Sequence, residues 1–576
     1  MTRGAPIAGI DLGTTNSAIA IWDGAKARLL ENAGGEVLTP SAVAEDPDTK
    51  SLIVGRSAKD RLARDPSAGA FSFKRLMGEE HKLAVGSRRL RPEEASAYVL
   101  DALRADAERQ LGTPVSRCVI SVPAYFGEAQ RVATRKAGEL AGWAVERIVN
   151  EPTAAALAYG FGVDESERRF VVLDLGGGTF DVCVMERFEG LLEVRGVAGV
   201  SQLGGDDFTI ALANFCLRRA GSAHTLDTLT PGARTRAFRR AELLKRKLAR
   251  WPEAEVAIPL VDDTQSPAPT VRVSAAEAND VYAPLLDRLA RPCREAMRGA
   301  SVALDEIDDV LLVGGASQLP AFARLARELF GREPILDPSP DQLVAKGAAI
   351  QGALCADEEA AVRDVVVTDV LSHSLGTDVA RELGGKVVSG FFAPIVHRNT
   401  VIPVSRSELF GTMSPNQRTI ELGIYEGESR RVEENTKLGE LLVTGIPRGP
   451  KGQEIRVTFT YDVSGTLDVE AIVIATGQSV SKTFVRRGGL SREETERAQA
   501  RIRQLKTDPR DRPRYREALN RAELLWSEGT AAERATLELA ITEFESAIED
   551  GKPGPIEEAY ATLCETCRRI DHDERW

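Results

Sequence analysis

One short plan occurs twice in this chain, and it narrows the choice of fold more than any other feature. Residues 7–18 read IAGIDLGTTNSA and residues 171–182 read VVLDLGGGTFDV. Each is an apolar run that ends on an aspartate, Asp11 or Asp174, followed by Leu-Gly and then threonine. Beyond each turn the pattern returns to that of a strand, TTNSAIAIW or TFDVCVMERF, instead of a helix. Each copy therefore reads as a β-hairpin with glycine and threonine at its tip. Glycine lets the backbone approach a phosphate closely, and consecutive amides at such a tip form an anion-binding concavity. An aspartate at the mouth would repel a bare phosphate. It makes chemical sense if a hydrated Mg²⁺ lies between carboxylate and phosphate oxygens. Two copies imply an internally duplicated domain with one shared site between its halves.

No GxxxxGK[ST] stretch occurs, which excludes a P-loop. A third turn, VLLVGGASQLPAFARLARELF, runs from strand through Gly314-Gly315 into a helix, and suits a nucleoside or α-phosphate contact. The balance of 74 Lys plus Arg against 86 Asp plus Glu, a net charge of −12, gives no bulk attraction to nucleic acid or an anionic membrane. No apolar run approaches the roughly 20 residues that span a bilayer. The seven cysteines are scattered, and Cys564 with Cys567 forms a lone CxxC with no second pair for zinc. A reducing cytoplasm is the expected compartment.

Four regions differ in period. From residue 7 to about 355, β-rich runs alternate with helical patterns, as in α/β layering. Residues 356–370, ADEEAAVRDVVVTDV, carry Val365, Val366 and Val367 between acids, an odd composition for a free linker. From 371 to about 488 apolar residues alternate, as in Ile455/Val457/Phe459/Tyr461, which predicts a β-sandwich. The remainder is helical in pattern, opened by Ser491 with Glu494 and punctuated by Gly551 and Pro553. The expected division is 1–358, a linker 359–370, 371–488 and a helical 489–576.

Ordered stretches of this chain resemble the heat-shock protein 70 family of ATP-driven chaperones, the DnaK type. They are GIDLGTTNSAIAIWDG, FKRLMG, VISVPAYFGEAQR, IVNEPTAAALAYG, VVLDLGGGTFDVCVME, QLGGDDF, LLVGGASQLP, VRDVVVTDV and HSLG, continued in the β-rich part by RNTVIPVSR and IPRGPKGQEIRVTFTYD. Length, an insertion near 380–390 and the short helical end are similar to HscC-type bacterial members. The resemblance implies a multidomain protein: an actin-like duplicated α/β ATPase domain, a β-sandwich that binds peptide, and an α-helical lid. It implies binding of ATP and ADP with Mg²⁺ and K⁺.

By the same resemblance, Gly13, Thr14, Thr15 and Asn16 form the first phosphate loop, and Gly176, Gly177, Gly178 and Thr179 the second. Asp11 and Asp174 hold Mg²⁺ through its waters, with Asp181 in the metal and potassium environment. Lys74 faces the γ-phosphate and the attacking water, and Glu151 orders the water and metal shell. Gly204, Gly205, Glu242, Lys245, Arg246, Gly314, Gly315, Gln318 and Asp341 surround the nucleotide. Lys74, Glu151, Asp174 and Thr179 are the expected catalytic set. Elementary chemistry agrees: phosphoryl transfer to water needs positioned cations and an oriented water more than covalent help.

Expected partners are unfolded or extended polypeptides and a J-domain cochaperone at Arg147 and Asp369. Phe410, Met413, Ile420 and Leu422, with Ala380 opposite, match the peptide site. The valine run suits a segment that docks on the ATPase domain, the alternative being an edge strand of the β-rich module. Two positions depart from the family pattern: Gln318 stands where an arginine commonly flanks adenine, and Ala249 replaces a serine. A sugar kinase or filament protein with the same core is the competing reading, but it leaves residues 362–488 unexplained.

Overall fold

The two hairpin plans become the centres of two sheets with the same strand order. A computed structural model describes residues 6–160, 167–188, 191–260, 268–356, 366–383, 386–462, 467–484, 513–528, 531–550 and 553–572. In the first sheet, Ala144–Asn150, Arg117–Val122 and Ile7–Asp11 run parallel. Asn16–Trp22 and Ala27–Leu29 then follow antiparallel. In the second, Ile335–Leu336, Asp309–Val313 and Arg168–Leu175 run parallel, and Phe180–Phe188 and Leu191–Val200 follow antiparallel. This is the expected duplication. The central strands are covered on both faces, so Val171, Val172 and Leu173 are all buried and the apolar run is continuous.

The halves meet on the helix Leu343–Cys355, which packs against the strand Ile7–Asp11 and the helix Glu151–Ala158. Two glycines permit this approach. A Cβ on Gly347 would lie 1.6 Å from the Ala154 carbonyl oxygen, and one on Gly9 1.9 Å from the Ala349 nitrogen.

Residues 375–484 form the expected sandwich of two four-stranded antiparallel sheets. Period-2 burial is clean on Glu454–Tyr461, where Ile455, Val457, Phe459 and Tyr461 point inward. The helices Pro513–Glu528, Ala531–Asp550 and Pro553–His572 form a bundle around Leu525, Leu537, Phe544 and Leu563. Cys567 is buried in that bundle, one turn from Cys564. The first of these helices packs on Arg56–Arg64 of the duplicated α/β domain, with Arg521 3.4 Å from the buried Asp60. The helix start at Ser491 and the boundaries near 358 and 488 lie outside the described residues.

The valine segment joins both bodies. Val366–Val367 pairs in parallel with Leu191–Leu192 as a sixth strand of the second α/β sheet. Thr368 then donates its N–H to the Leu192 carbonyl at 3.1 Å. Asp369–Val370 crosses over to pair with Val401–Ile402 of the sandwich. Val366 and Val367 thus extend the second α/β sheet, and the edge-strand alternative within the sandwich does not apply to them.

Candidate functional site

The two hairpin tips touch. A Cβ on Gly177 would fall 1.9 Å from Thr15 Oγ1, and one on Gly178 would fall 2.8 Å from Thr14 Cγ2. Glycine is required at both positions for the tips to meet. The first tip is pinned from below: Ser41 Oγ donates to the Gly13 carbonyl at 2.7 Å, and the Ser41 amide to the Thr15 carbonyl at 2.9 Å. A Cβ on Gly13 would clash with the Asn16 carbonyl at 2.0 Å, so this turn too requires glycine. In the second tip the Gly176 amide reaches the Thr179 carbonyl at 3.1 Å. Gly204 and Gly205 lie along it, with the amides of Gly205 and Asp206 donating to Gly176 and Gly177 at 2.9 and 2.8 Å. Thr15 Oγ1 is buried and has no hydrogen-bond partner among the described residues.

Behind the tips lies an excess of buried negative charge. Asp174 and Asp181 face each other across the second hairpin, and Asp11 ends the equivalent strand of the first. Burial first, and then the charge of Glu151, pushes Asp11 and Asp181 up to about 7. Asp174 is driven up further by the same two causes and by its aspartate neighbours. Ser121 Oγ donates to Asp11 at 2.9 Å, and the Tyr125 amide donates to Asp181 at 2.9 Å. The cation facing them, Lys74, is 2% exposed and sits 2.5 Å from Glu151.

That leaves three further carboxyls against one lysine already engaged, an imbalance that a divalent cation would relieve. Among the described residues no three His, Cys, Asp or Glu side chains converge at direct-ligand spacing.

The residues expected around the nucleoside gather beside Gly205 and at the third turn. Lys245 Nζ donates to the Gly205 carbonyl and to Thr209 Oγ1, each at 2.8 Å, and lies 2.6 Å from Glu242. Burial opposes charge on Glu242, yet Lys245 and Arg246 hold its carboxyl down at about 2. Gly314 has φ +82°, and a Cβ there would lie 2.5 Å from Asp174 Oδ1, so the third turn closes directly on Asp174. The Gly314 amide donates to the Pro340 carbonyl at 3.2 Å, which brings the partly buried Asp341 beside that turn. Gln318 and Gly315 are exposed, and Ala249 caps the helix Pro231–Leu248.

A scan against family models returns one description, "Hsp70 protein", which matches residues 7–572. The chain belongs to the Hsp70 family. Members of this family are ATPases that bind ATP and ADP with Mg²⁺, act as chaperones on unfolded polypeptides and work with J-domain cochaperones. No helix among the described residues is long and apolar enough to cross a membrane.

Several residues at the Hsp70 site carry no sequence signal of their own. Arg75 Nη2 donates to the Gly177 carbonyl at 3.2 Å and to Asp207 Oδ2 at 2.9 Å, which ties the lysine turn to the second tip. Its neighbour Ser72 reaches Asp206 at 3.2 Å. FKRLMG shows Arg75 beside Lys74, but adjacency gives no direction. Asp207, three residues after Gly204, does have the spacing of a helix-capping acid, and it accepts the Gly204 amide at 2.8 Å.

Of the residues matched to the peptide site, Leu422 is part of the sandwich core, while Phe410 and Ile420 are partly buried against it. Met413 and Ala380 are partly exposed. Leu409 and Leu442 are 56% and 55% exposed.

Proposed function

We propose that this Hsp70 hydrolyses ATP where the two tips meet, and that hydrolysis drives capture and release of extended apolar segments of unfolded polypeptide. The supporting observation is the contact of Gly177 with Thr15 in front of buried, charge-unbalanced acids and Lys74. In this reading the amides of both tips bind the β- and γ-phosphates, and the nucleoside lies between Lys245, Arg246 and the Gly314–Gly315 turn. Asp11 and Asp174 hold a hydrated Mg²⁺, which neutralises phosphate charge when bound. Lys74 places its ammonium at the terminal phosphate and the attacking water, and Glu151 fixes that ammonium and accepts hydrogen bonds from the water. Thr179 holds its hydroxyl at the second tip, and Asp181 supports the acid set and a K⁺ site. Arg147, with Asp369 beside it, is the place for a J-domain partner.

Calorimetric titration with MgATP, followed by a peptide-stimulated ATPase assay, tests the reading. Absence of binding heat from folded chain would end it. A sugar kinase or filament ATPase would show no stimulation by peptide.

Two outcomes follow from particular residues. Arg75→Ala is expected to weaken ATP binding about tenfold, because a charge-assisted hydrogen bond contributes about 1.5–3 kcal/mol and solvent replaces part of it. Arg75→Lys should recover only part, since a lysine keeps the charge but lacks the planar guanidinium whose N–H directions are fixed. Calorimetry of both variants decides this, and equal affinities in all three proteins would refute it. ADP release should also be fast. Gln318 lacks a guanidinium plane, and Ala249 lacks a hydroxyl whose hydrogen bond is worth roughly 0.5–1.5 kcal/mol. Release of a fluorescent ADP analogue over many minutes in stopped flow would reject this.

A further inference from the structure

The sandwich docks on the ATPase domain through two glutamates brought face to face. Glu426 ends the strand Ile420–Glu426 of the sandwich and reaches the N-terminus of the ATPase-domain helix Glu128–Leu140. The Glu128 amide donates to both its carboxylate oxygens, at 3.3 and 3.4 Å. A Cβ on Gly127 would lie 3.0 Å from Glu426 Oε2, so the fit is tight. The helix N-terminus is therefore taken by an acid from the other domain. His373 Nδ1, 3.8 Å from Glu426 Oε1, adds a partner on the sandwich side. The His373 ring packs on Tyr125 with centroids 4.4 Å apart.

The Glu128 side chain receives none of this compensation. It is 6% exposed, and its carboxyl accepts a single hydrogen bond, from Tyr461 Oη at 2.8 Å. The charged groups around it are Glu426 from one sandwich strand, Asp462 after the strand that carries Tyr461, and Arg131 on its own helix. Ser372 Oγ closes the edge of the interface by donating to the Phe126 carbonyl at 3.2 Å. Two acids thus share one helix terminus, and only the Glu426 carboxylate meets the terminal amide and a histidine.

We propose that docking of the sandwich on the ATPase domain takes up a proton at Glu128, so that acidification drives the two domains together. The energetics agree in sign. Burial, with Glu426 and Asp462 adding to it against Tyr461 and Arg131, pushes docked Glu128 up to about 7. Undocked, Glu128 loses Tyr461, Glu426 and the cover over it, and returns to the ordinary glutamate range near 4.3. The docked form binds more protons, so docking strengthens as pH falls from about 7 toward about 4.5, by up to about tenfold per pH unit. Above about 7 both forms are ionised there and the dependence flattens. The device needs only the interface, so it stands or falls independently of ATP hydrolysis.

The test is a carbon-13 NMR titration of glutamate carboxyls in the full chain, with Glu128→Gln assigning the resonance. The same titration is run on an Asn150→Ala/Asp369→Ala variant whose undocking is verified by small-angle scattering. The expected result is a Glu128 midpoint near neutrality in the parent and a fall of two pH units or more in the undocked chain. A parent midpoint below about 5.5 overturns the proposal, and so does the same midpoint in docked and undocked chains.

Discussion

Replacing Asp174 by Asn is expected to raise the melting temperature of the ligand-free chain while removing its magnesium-dependent hydrolysis. Asp174 and Asp181 are buried, and Asp11 half-buried, around one lysine that is committed to Glu151. Their raised proton affinities mean that the folded, ligand-free chain binds protons that the unfolded chain releases. The contribution of these groups to stability is full below the ordinary aspartate value near 3.9, and declines as pH rises toward about 7. Ligand-free chain should therefore melt lower at pH 7.5 than at pH 5.5, and the difference should shrink in Asp174→Asn. Added MgATP should stabilise the parent and not the variant, because binding to the native state alone raises apparent stability. Hydrolysis should fall about 100-fold or more, the scale seen when one electrostatic contact to a developing charge is removed. Calorimetric melting at the two pH values, with and without MgATP, measures all of this. A variant that melts lower than the parent at pH 7.5 would show that these acids are not a source of strain.

The second large effect is expected from Asn150→Ala. Asn150 Nδ2 donates to both oxygens of Asp369, at 2.6 and 2.8 Å, and its Oδ1 accepts from Arg131 at 2.6 Å. Asp369 carries the crossover segment, and burial raises its carboxyl against the pull of Arg131 and Arg147. The next residue is Glu151, the partner of Lys74. Two neighbouring residues thus grip the tether and the lysine, one by hydrogen bonds to Asp369 and the other by an ion pair to Lys74. Truncation removes two hydrogen bonds to a buried carboxylate, about 2–4 kcal/mol, so docking should weaken about 30-fold or more. Basal hydrolysis should persist while peptide no longer stimulates it and peptide release no longer responds to nucleotide. Undiminished stimulation by peptide would sink the idea.

How much of this was readable beforehand depends on the kind of interaction. The doubled Asp-Leu-Gly turns, the Gly314 turn and the alternation on Glu454–Tyr461 are local patterns, and backbone sterics or strand period translate them into structure. The landing place of Val366–Val367 is not a local pattern. A two-residue parallel pairing is made by main-chain groups, which every residue but proline supplies whatever its side chain. Arg75, Asp60 with Arg521, and Glu426 with Glu128 each join residues far apart in sequence through single side chains. Nothing periodic marks them. The resemblance supplied the residues around the phosphates, while the interdomain acids emerged only from packing.

The sixth strand also has a bearing on solubility. While Val366–Val367 is in place, the outer side of Leu191–Leu192 has its amides and carbonyls occupied by this chain's own backbone. When the tether lets go, that row is bared to any passing extended chain, including another copy of the same protein. Undocked protein should therefore show concentration-dependent light scattering that the docked form lacks. The two valines act as a lid on a sticky seam as well as a messenger.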